Sequence, residues 1–316
     1  MMPEPDPNQP TIQASMVVRN ISQLVTIAQQ PIPGASGPLQ VISNAAIAVH
    51  RNSIVWIGAD DDAEPIFQHT THTPRDGIAI VDAQGAVVTP GLVDSHTHLV
   101  FAGDRAEEFH QRRSGVSYAN LLAQGRGILT TVNATRNANT DMLMQLAEAR
   151  LNVVRTYGTT TVEVKTGYGL DKITEETCLR IINNLNALED SPLHPHSHVR
   201  VVPTFLGAHT IPPEYRERRT EYVDLLVKEM LPSFVGMAHF CDVFCEQEAF
   251  TLEESRRILY AARDLGYKLK LHADQLSSSG AARLAAELGA TSADHLDFAS
   301  DDELDAMREA GVVATL

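Results

Sequence analysis

The chain has 316 residues, 43% hydrophobic and 21% charged, with 25 basic and 40 acidic residues giving a formal net charge of −15. That size suits one large domain, or one large and one small, with enough apolar material for a sizeable core. The acidic balance argues against nucleic-acid binding, which needs a Lys/Arg surplus, and the absence of a long apolar run argues against a transmembrane helix, so the chain reads as a cytoplasmic protein.

Residues 1–15, MMPEPDPNQPTIQAS, are acidic and proline-rich and lack the basic and apolar regions of a signal peptide. They read as a disordered tail. Residues 16–89 read as a small β module, expected to be a β-sandwich that lacks its C-terminal strands. MVVRN, LVTIA, AIAVHRNSIVWIGA and GIAIVDAQGAVVTP are β-branched runs split by Gly, Asn, Asp and Pro.

From residue 90 to 316 the pattern changes to apolar strands alternating with helices. The strands are VVTPGLVD, TTTVEVK, HVRVVPTFLG, CDVFCE, YKLKLHA, TSADHL and VVATL. The helices between them include DMLMQLAEARLNVVRTYG, ITEETCLRIINNLNAL, PPEYRERRTEYVDLLVKEMLPSF, TLEESRRILYAARDLG, GAARLAAELG and DDELDAMREAG. In the fourth of these, Thr251 and Glu254 form a capping box and Gly266 a stop. Repeated βα units predict a parallel sheet. The reading is a TIM-type (β/α)8 barrel of which this chain holds strands one to seven.

Three cysteines, Cys178, Cys241 and Cys245, are too few and too uneven for a disulfide framework. The pair in CDVFC reads as packed core thiols. HTTH at 69–72 and HPHSH at 194–198 lie in Pro/Ser/Thr-rich stretches and read as solvated loops.

Polar residues cluster where the strands end. The first strand ends in His96 and His98, the second in Glu163, Lys165 and then Tyr168, the third in His209 and the fourth in Glu246. The fifth ends in His272, Asp274 and Gln275, and the sixth in Asp294 and His295. In a parallel barrel these ends share one face, where active sites are built. Positions i and i+2 of a strand project to the same side, so His96 and His98 can share an ion. Alone, the HxH pair is equally a solvated strand end; with His272 and His295 at two further strand ends it reads as a site for Zn²⁺ or iron.

PGLVDSHTH resembles the first-strand signature of the amidohydrolase superfamily. HTHLVFAGDRAEEF, SYANLLAQGRGILTTVNATR, VEVKTGYGLD, PTFLGAHTIPPEY, DVFCEQEAFT, LHADQLSSSG and ATSADHL more narrowly resemble the imidazolonepropionase family of histidine degradation. The resemblance implies hydrolysis of the cyclic amide C–N bond of 4-imidazolone-5-propanoate to N-formimidoyl-L-glutamate, with one divalent ion, zinc or iron. It implies His96, His98 and His272 as metal ligands and Arg105, Tyr168, His209 and Gln275 as substrate contacts. It places His295 by the reacting carbonyl, and suggests a homodimer.

These roles suit the residue types. Arg105 can meet a propanoate carboxylate with a bidentate fork, although taken alone it reads as a surface arginine paired with Glu107 or Glu108. The glycines of TGYG allow the loop bearing Tyr168 a close approach. Gln275 can orient a ring but is no general base. Asp274 and Asp294 read as helix-capping or ligand-supporting groups. The fourth strand ends in Glu246, not in the lysine that bridges two-metal relatives, so Lys165 reads as structural or a substrate neighbour and the site as mononuclear.

The superfamily's last ligand is an aspartate after strand eight, beyond Leu316. The polypeptide is therefore expected to be part of a longer gene product and, alone, poorly stable and inactive. Two other functions compete: a mononuclear deaminase of the cytosine or guanine type, and a non-catalytic relative that only binds ligand or partner.

Overall fold

The computed structural model describes residues 13–63, 78–116, 127–187 and 199–316. The HTTH and HPHSH motifs, residues 117–126 of the SYANLLAQGRG segment and most of the N-terminal tail fall outside them. The chain divides into two compact units, Met1–Gly91 and Leu92–Leu316.

In the first unit, β1 (Met16–Val25), β2 (Val41–His50), β3 (Ser53–Ala59), β4 (Ala79–Asp82) and β5 (Val87–Val88) form a single mixed sheet. Its order is β3-β2-β1-β4, with β5 also paired to β1. β1 runs antiparallel to β2 and parallel to β4 and β5. Ile21, Leu24, Ile42, Ala45 and Ile47 form its buried cluster. The VVTPGLVD run divides between the units: Val87 and Val88 pair with Gln23 and Leu24, and the first barrel strand begins only at Leu92. The intervening Pro90-Gly91 explains the break, since proline gives no ladder donor and glycine frees the chain direction.

The second unit is the barrel. Its strands are β6 (Leu92–Thr97), β7 (Thr159–Lys165), β8 (Arg200–Ala208), β9 (Phe240–Cys245), β10 (Lys268–Ala273), β11 (Ser292–His295) and β12 (Val313–Thr315). They pair in parallel, in chain order, from β6 to β12. The helices are α1 (Ala106–Arg113), α2 (Ile128–Asn137), α3 (Thr140–Thr156), α4 (Lys172–Ala187), α5 (Arg219–Leu225), α6 (Leu252–Asp264), α7 (Ala281–Leu288) and α8 (Asp301–Ala310). α6 begins with the capping box expected of Thr251 and Glu254, and Ser300 and Glu303 build another at α8. Gly266 follows α6 at φ +91°, the left-handed conformation that ends a helix. The predicted helix over PPEYRERRTEYVDLLVKEMLPSF is segmented. A 3-10 stretch at Pro213–Arg218 leads into α5, and a π turn at Leu226–Met230 follows it.

Two-residue alternation sorts the strands. On β9, Cys241, Val243 and Cys245 join the apolar layer under the helices, with Leu269 and Leu271 of β10 and Ala293 of β11. Ile258 and Leu259 of α6 and Leu284 and Leu288 of α7 pack on them. The alternate residues, Asp242, Lys270, His272 and Asp294, are also buried and face inward. Register aligns Asp242, Lys270 and Ser292 across three strands, and His272 beside Asp294. All three cysteines are free and buried, as core thiols should be. No helix among the described residues is long and apolar enough to cross a membrane.

Candidate metal centre

His96 and His98 on β6 and His272 on β10 present ligand nitrogens that all lie within 4.8 Å of one another. Their orientation is set from behind. The Asp294 carboxylate accepts from His96 Nδ1 at 2.6 Å, and Asp242 accepts from His272 Nδ1 at 3.1–3.2 Å. Both rings are thereby held with Nε2 as the basic nitrogen, the arrangement that carboxylates impose on ligating histidines. His98 Nε2 is 3.4 Å from His272 Nε2. Two nitrogens bound tetrahedrally to one ion at about 2.0–2.1 Å stand about 3.3 Å apart, so this spacing fits a shared cation. His98 Nδ1 is buried with no hydrogen-bond partner among the described residues. The donor set fits zinc or iron.

Burial favours the neutral imidazole at His98, His272, His209 and His295. Burial lowers the pKa of His98 well below the usual value, and the neighbouring His209 and His272 lower it further. Burial also lowers His272 against the pull of Asp242, takes His209 to about 3, and takes His295 to about 4. A neutral imidazole binds a cation without first releasing a proton. The supporting carboxylates stay ionised: burial alone would raise Asp242 and Asp294, but their histidine and lysine partners hold both below the carboxylate range.

The remaining predicted residues gather around the trio in a cleft of about 860 Å³, lined also by Arg105, Tyr168, His209, Gln275 and His295. His209 lies almost parallel on His98, centroids 4.8 Å apart and 18° between planes, and its Nδ1 donates to Gly167 O at 3.0 Å. The His295 ring is 5.0 Å from His96 and 5.1 Å from His272. Its backbone is left-handed (φ +82°), as is that of Leu296 (φ +64°), and its Nε2 is buried without a partner among the described residues. Consecutive non-glycine residues in that region cost energy and persist where structure over-determines them. Here Leu296 N donates to Ala273 O and Phe298 N to Asp274 O.

Arg105 immediately precedes α1 and shares its wall of the cleft with Glu108, Phe109 and Arg112. The Glu108 carboxylate accepts from Gly127 N and Thr130 Oγ1, tying α1 to α2. Gln275 rides on a loop clamped by two acids. Asp274 accepts from the backbone of Ser279, Gly280 and Ala282, capping α7. Glu246 accepts from Leu276 N and Ser277 N, so it anchors a loop and does not enter the cleft's histidine cluster.

Glu175, which sequence reasoning passed over, fixes the Tyr168 loop. Fully buried in the first turn of α4, its carboxylate accepts from the backbone N–H groups of Gly167, Gly169 and Leu170. Burial raises its pKa, and these hydrogen bonds oppose the rise. The two glycines of TGYG are sterically required. A Cβ on Gly167 (φ +110°) would meet His209 Nδ1 and Leu206 O at 2.9 Å, and one on Gly169 would meet Glu175 N at 2.7 Å. The only sequence signal for Glu175 was its position at a helix start, where an acid is expected anyway.

A second cavity of about 920 Å³, lined by Asp94, Ser95, Phe240, Lys268 and Val313, opens at the N-terminal ends of the strands. It holds none of the three histidines, and barrel chemistry sits at the opposite face.

A model of the amidohydrolase family matches residues 87–315. Imidazolonepropionase from Bacteroides thetaiotaomicron is 47% identical over 89% of this chain and 65% of its own length. That from Symbiobacterium thermophilum is 48% identical over 95% of this chain and 68% of its own length. The chain thus spans about two thirds of the length of these relatives. A solved structure of 5-methylcytosine deaminase from Klebsiella pneumoniae shares the fold at 14% identity, with a TM-score of 0.59 over 95% of this chain and 65% of that one. A family match over most of the chain, joined to close relatives and a histidine trio at the mouth of a parallel barrel, settles membership: the chain belongs to the amidohydrolase family, among its imidazolonepropionases.

Proposed function

We propose that the protein hydrolyses 4-imidazolone-5-propanoate to N-formimidoyl-L-glutamate in the cytoplasm, adding water across the cyclic amide C–N bond. The barrel, residues 90–316, carries the reaction, residues 16–89 form an accessory module, and the subunits pair as a homodimer. The supporting observation is the convergence of His96, His98 and His272, the first and last of them backed by carboxylates, with Arg105 on the wall of one cleft. His96, His98 and His272 hold one divalent ion, zinc or iron. When bound, such an ion polarises a carbonyl and lowers the pKa of a water from 15.7 to about 7.

The chain's own residues position the substrate. Arg105 takes the propanoate carboxylate, and Tyr168 and His209 flank the ring. His209 spends Nδ1–H on Gly167 O, so its Nε2 is the nitrogen left to accept from a ring N–H. Gln275 orients the ring and moves no proton. His295 offers its unpartnered Nε2 edge to the reacting carbonyl.

The direct test is loss of the imidazolone ultraviolet band on adding the whole gene product that carries these residues, run beside ammonia release from cytosine and guanine. Ammonia release with an unchanged imidazolone band would replace this reading with the deaminase one. Within the reading, Arg105→Gln should lower kcat/KM by about 10- to 100-fold, chiefly through KM, because a charge-assisted hydrogen bond contributes about 1.5–3 kcal/mol. Steady-state kinetics check this, and an unchanged KM would remove Arg105 from carboxylate recognition.

A further inference from the structure

Beneath the histidines lies a buried group of charges to which the proposed reaction assigns no role. Lys165, at the end of β7, is completely buried. Its Nζ is 2.9 Å from Glu163 Oε1, 2.8 Å from Asp242 Oδ2 and 3.6 Å from Asp294 Oδ2. An ammonium has three protons to give, and three carboxylates surround this one. Two of them, Asp242 and Asp294, are the groups that hold His272 Nδ1 and His96 Nδ1. One cation on β7 is therefore linked, through carboxylates on β9 and β11, to imidazoles on β10 and β6. Lys270 Nζ supports Asp294 from the other side at 3.4 Å while donating to Ser292 Oγ at 2.7 Å. Glu163 touches Lys165, and among the described residues no hydrogen bond or ion pair joins its carboxylate to either imidazole.

We infer that Lys165 is a positioning residue for the metal centre: by bridging Asp242 and Asp294 it locks His272 and His96 into one shared ligand geometry. This rests on the metal reading above. Two buried carboxylates repel each other, and the Lys165 cation between them offsets that repulsion, so each can stay aligned with its imidazole. Among the described residues, Asp242 has Lys165 and His272 as its side-chain partners, so it depends on Lys165 more than Asp294, which also has Lys270.

The test is zinc affinity of the chelator-stripped whole chain, by competition with a chromophoric chelator, together with the visible spectrum of the Co²⁺ form. Lys165→Met should weaken zinc binding by about 10- to 100-fold, the usual effect of removing support behind a ligand, and should alter the Co²⁺ bands. Glu163→Gln should leave both unchanged. Lys165→Met/Glu163→Gln, which removes one charge of each sign, should fold at least as well as the single variant and bind zinc no better. Wild-type affinity and spectrum in either Lys165 variant, or equal weakening by Glu163→Gln alone, overturns the inference. Should neither Lys165 variant fold, Asp242→Asn reads the same link, and wild-type zinc affinity there overturns it. If the unmodified chain takes up no zinc, the metal centre itself is refuted; if it does and the variants match it, only the role of Lys165 is.

Discussion

His98→Asn is expected to strip the protein of its metal and to lower turnover by more than about a thousandfold, since the cation's effect on water pKa spans many orders of magnitude in hydroxide supply. Of the three histidines, His98 is the informative one to replace. His96 and His272 are tied to Asp294 and Asp242, so changing either also leaves a buried carboxylate without its partner. His98 has no such tie: its Nδ1 is unpartnered among the described residues, and its Nε2 faces His272. The melting temperature of the metal-free variant should therefore match that of the metal-free parent. Metal content by mass spectrometry and turnover before and after adding zinc or iron check the prediction. The stripped parent should recover on metal addition and the variant should not. Stoichiometric metal and parental turnover in His98→Asn would remove this trio as the metal site.

Glu175→Ala should have the largest effect on stability. It leaves three backbone N–H donors of the 167–170 segment without their acceptor in a fully buried place. At about 1–3 kcal/mol for each stranded donor, with partial relaxation, a loss of roughly 3–5 kcal/mol is expected. That corresponds to a fall in melting temperature on the order of 10 °C for a domain of this size. The same change loosens the loop that carries Tyr168, leaving it held by bonds such as Arg136 Nε to Gly169 O at 2.6 Å and His209 Nδ1 to Gly167 O at 3.0 Å, so KM should rise as well. Glu175→Gln keeps an accepting oxygen and should lose less. An unchanged melting temperature in Glu175→Ala would show that the carboxylate does not hold the loop.

What could be read before folding was whatever a strand's two-residue period and its C-terminal end dictate. His96, His98, His272 and His295 were legible because parallel strands deliver their ends to one face, and all four line one cleft. Of the two roles open to Asp274, capping and ligand support, the fold shows capping: the carboxylate reaches forward to the N–H groups at the start of α7. Asp242 was hidden: in CDVFC the cysteines draw attention, and the aspartate's role exists only once β7, β9 and β10 are in register. Glu175 was hidden for a similar reason, because its three partners lie in a loop that sequence places but does not shape. The break between Val88 and Leu92 was misjudged as one continuous strand, since pairing with β1 competes for the first half of the run.

The three free cysteines have a use that their burial creates. Cys178 lies on the same helix as Glu175, while Cys241 and Cys245 lie under α6 and α7. Burial pushes all three thiols up, so in the folded chain none offers a thiolate to an alkylating reagent. Each is then a built-in clock for the opening of its own neighbourhood. Labelling of Cys178 ahead of Cys241 and Cys245 would report local opening around α4, and simultaneous labelling of all three would report that the barrel opens as one cooperative body.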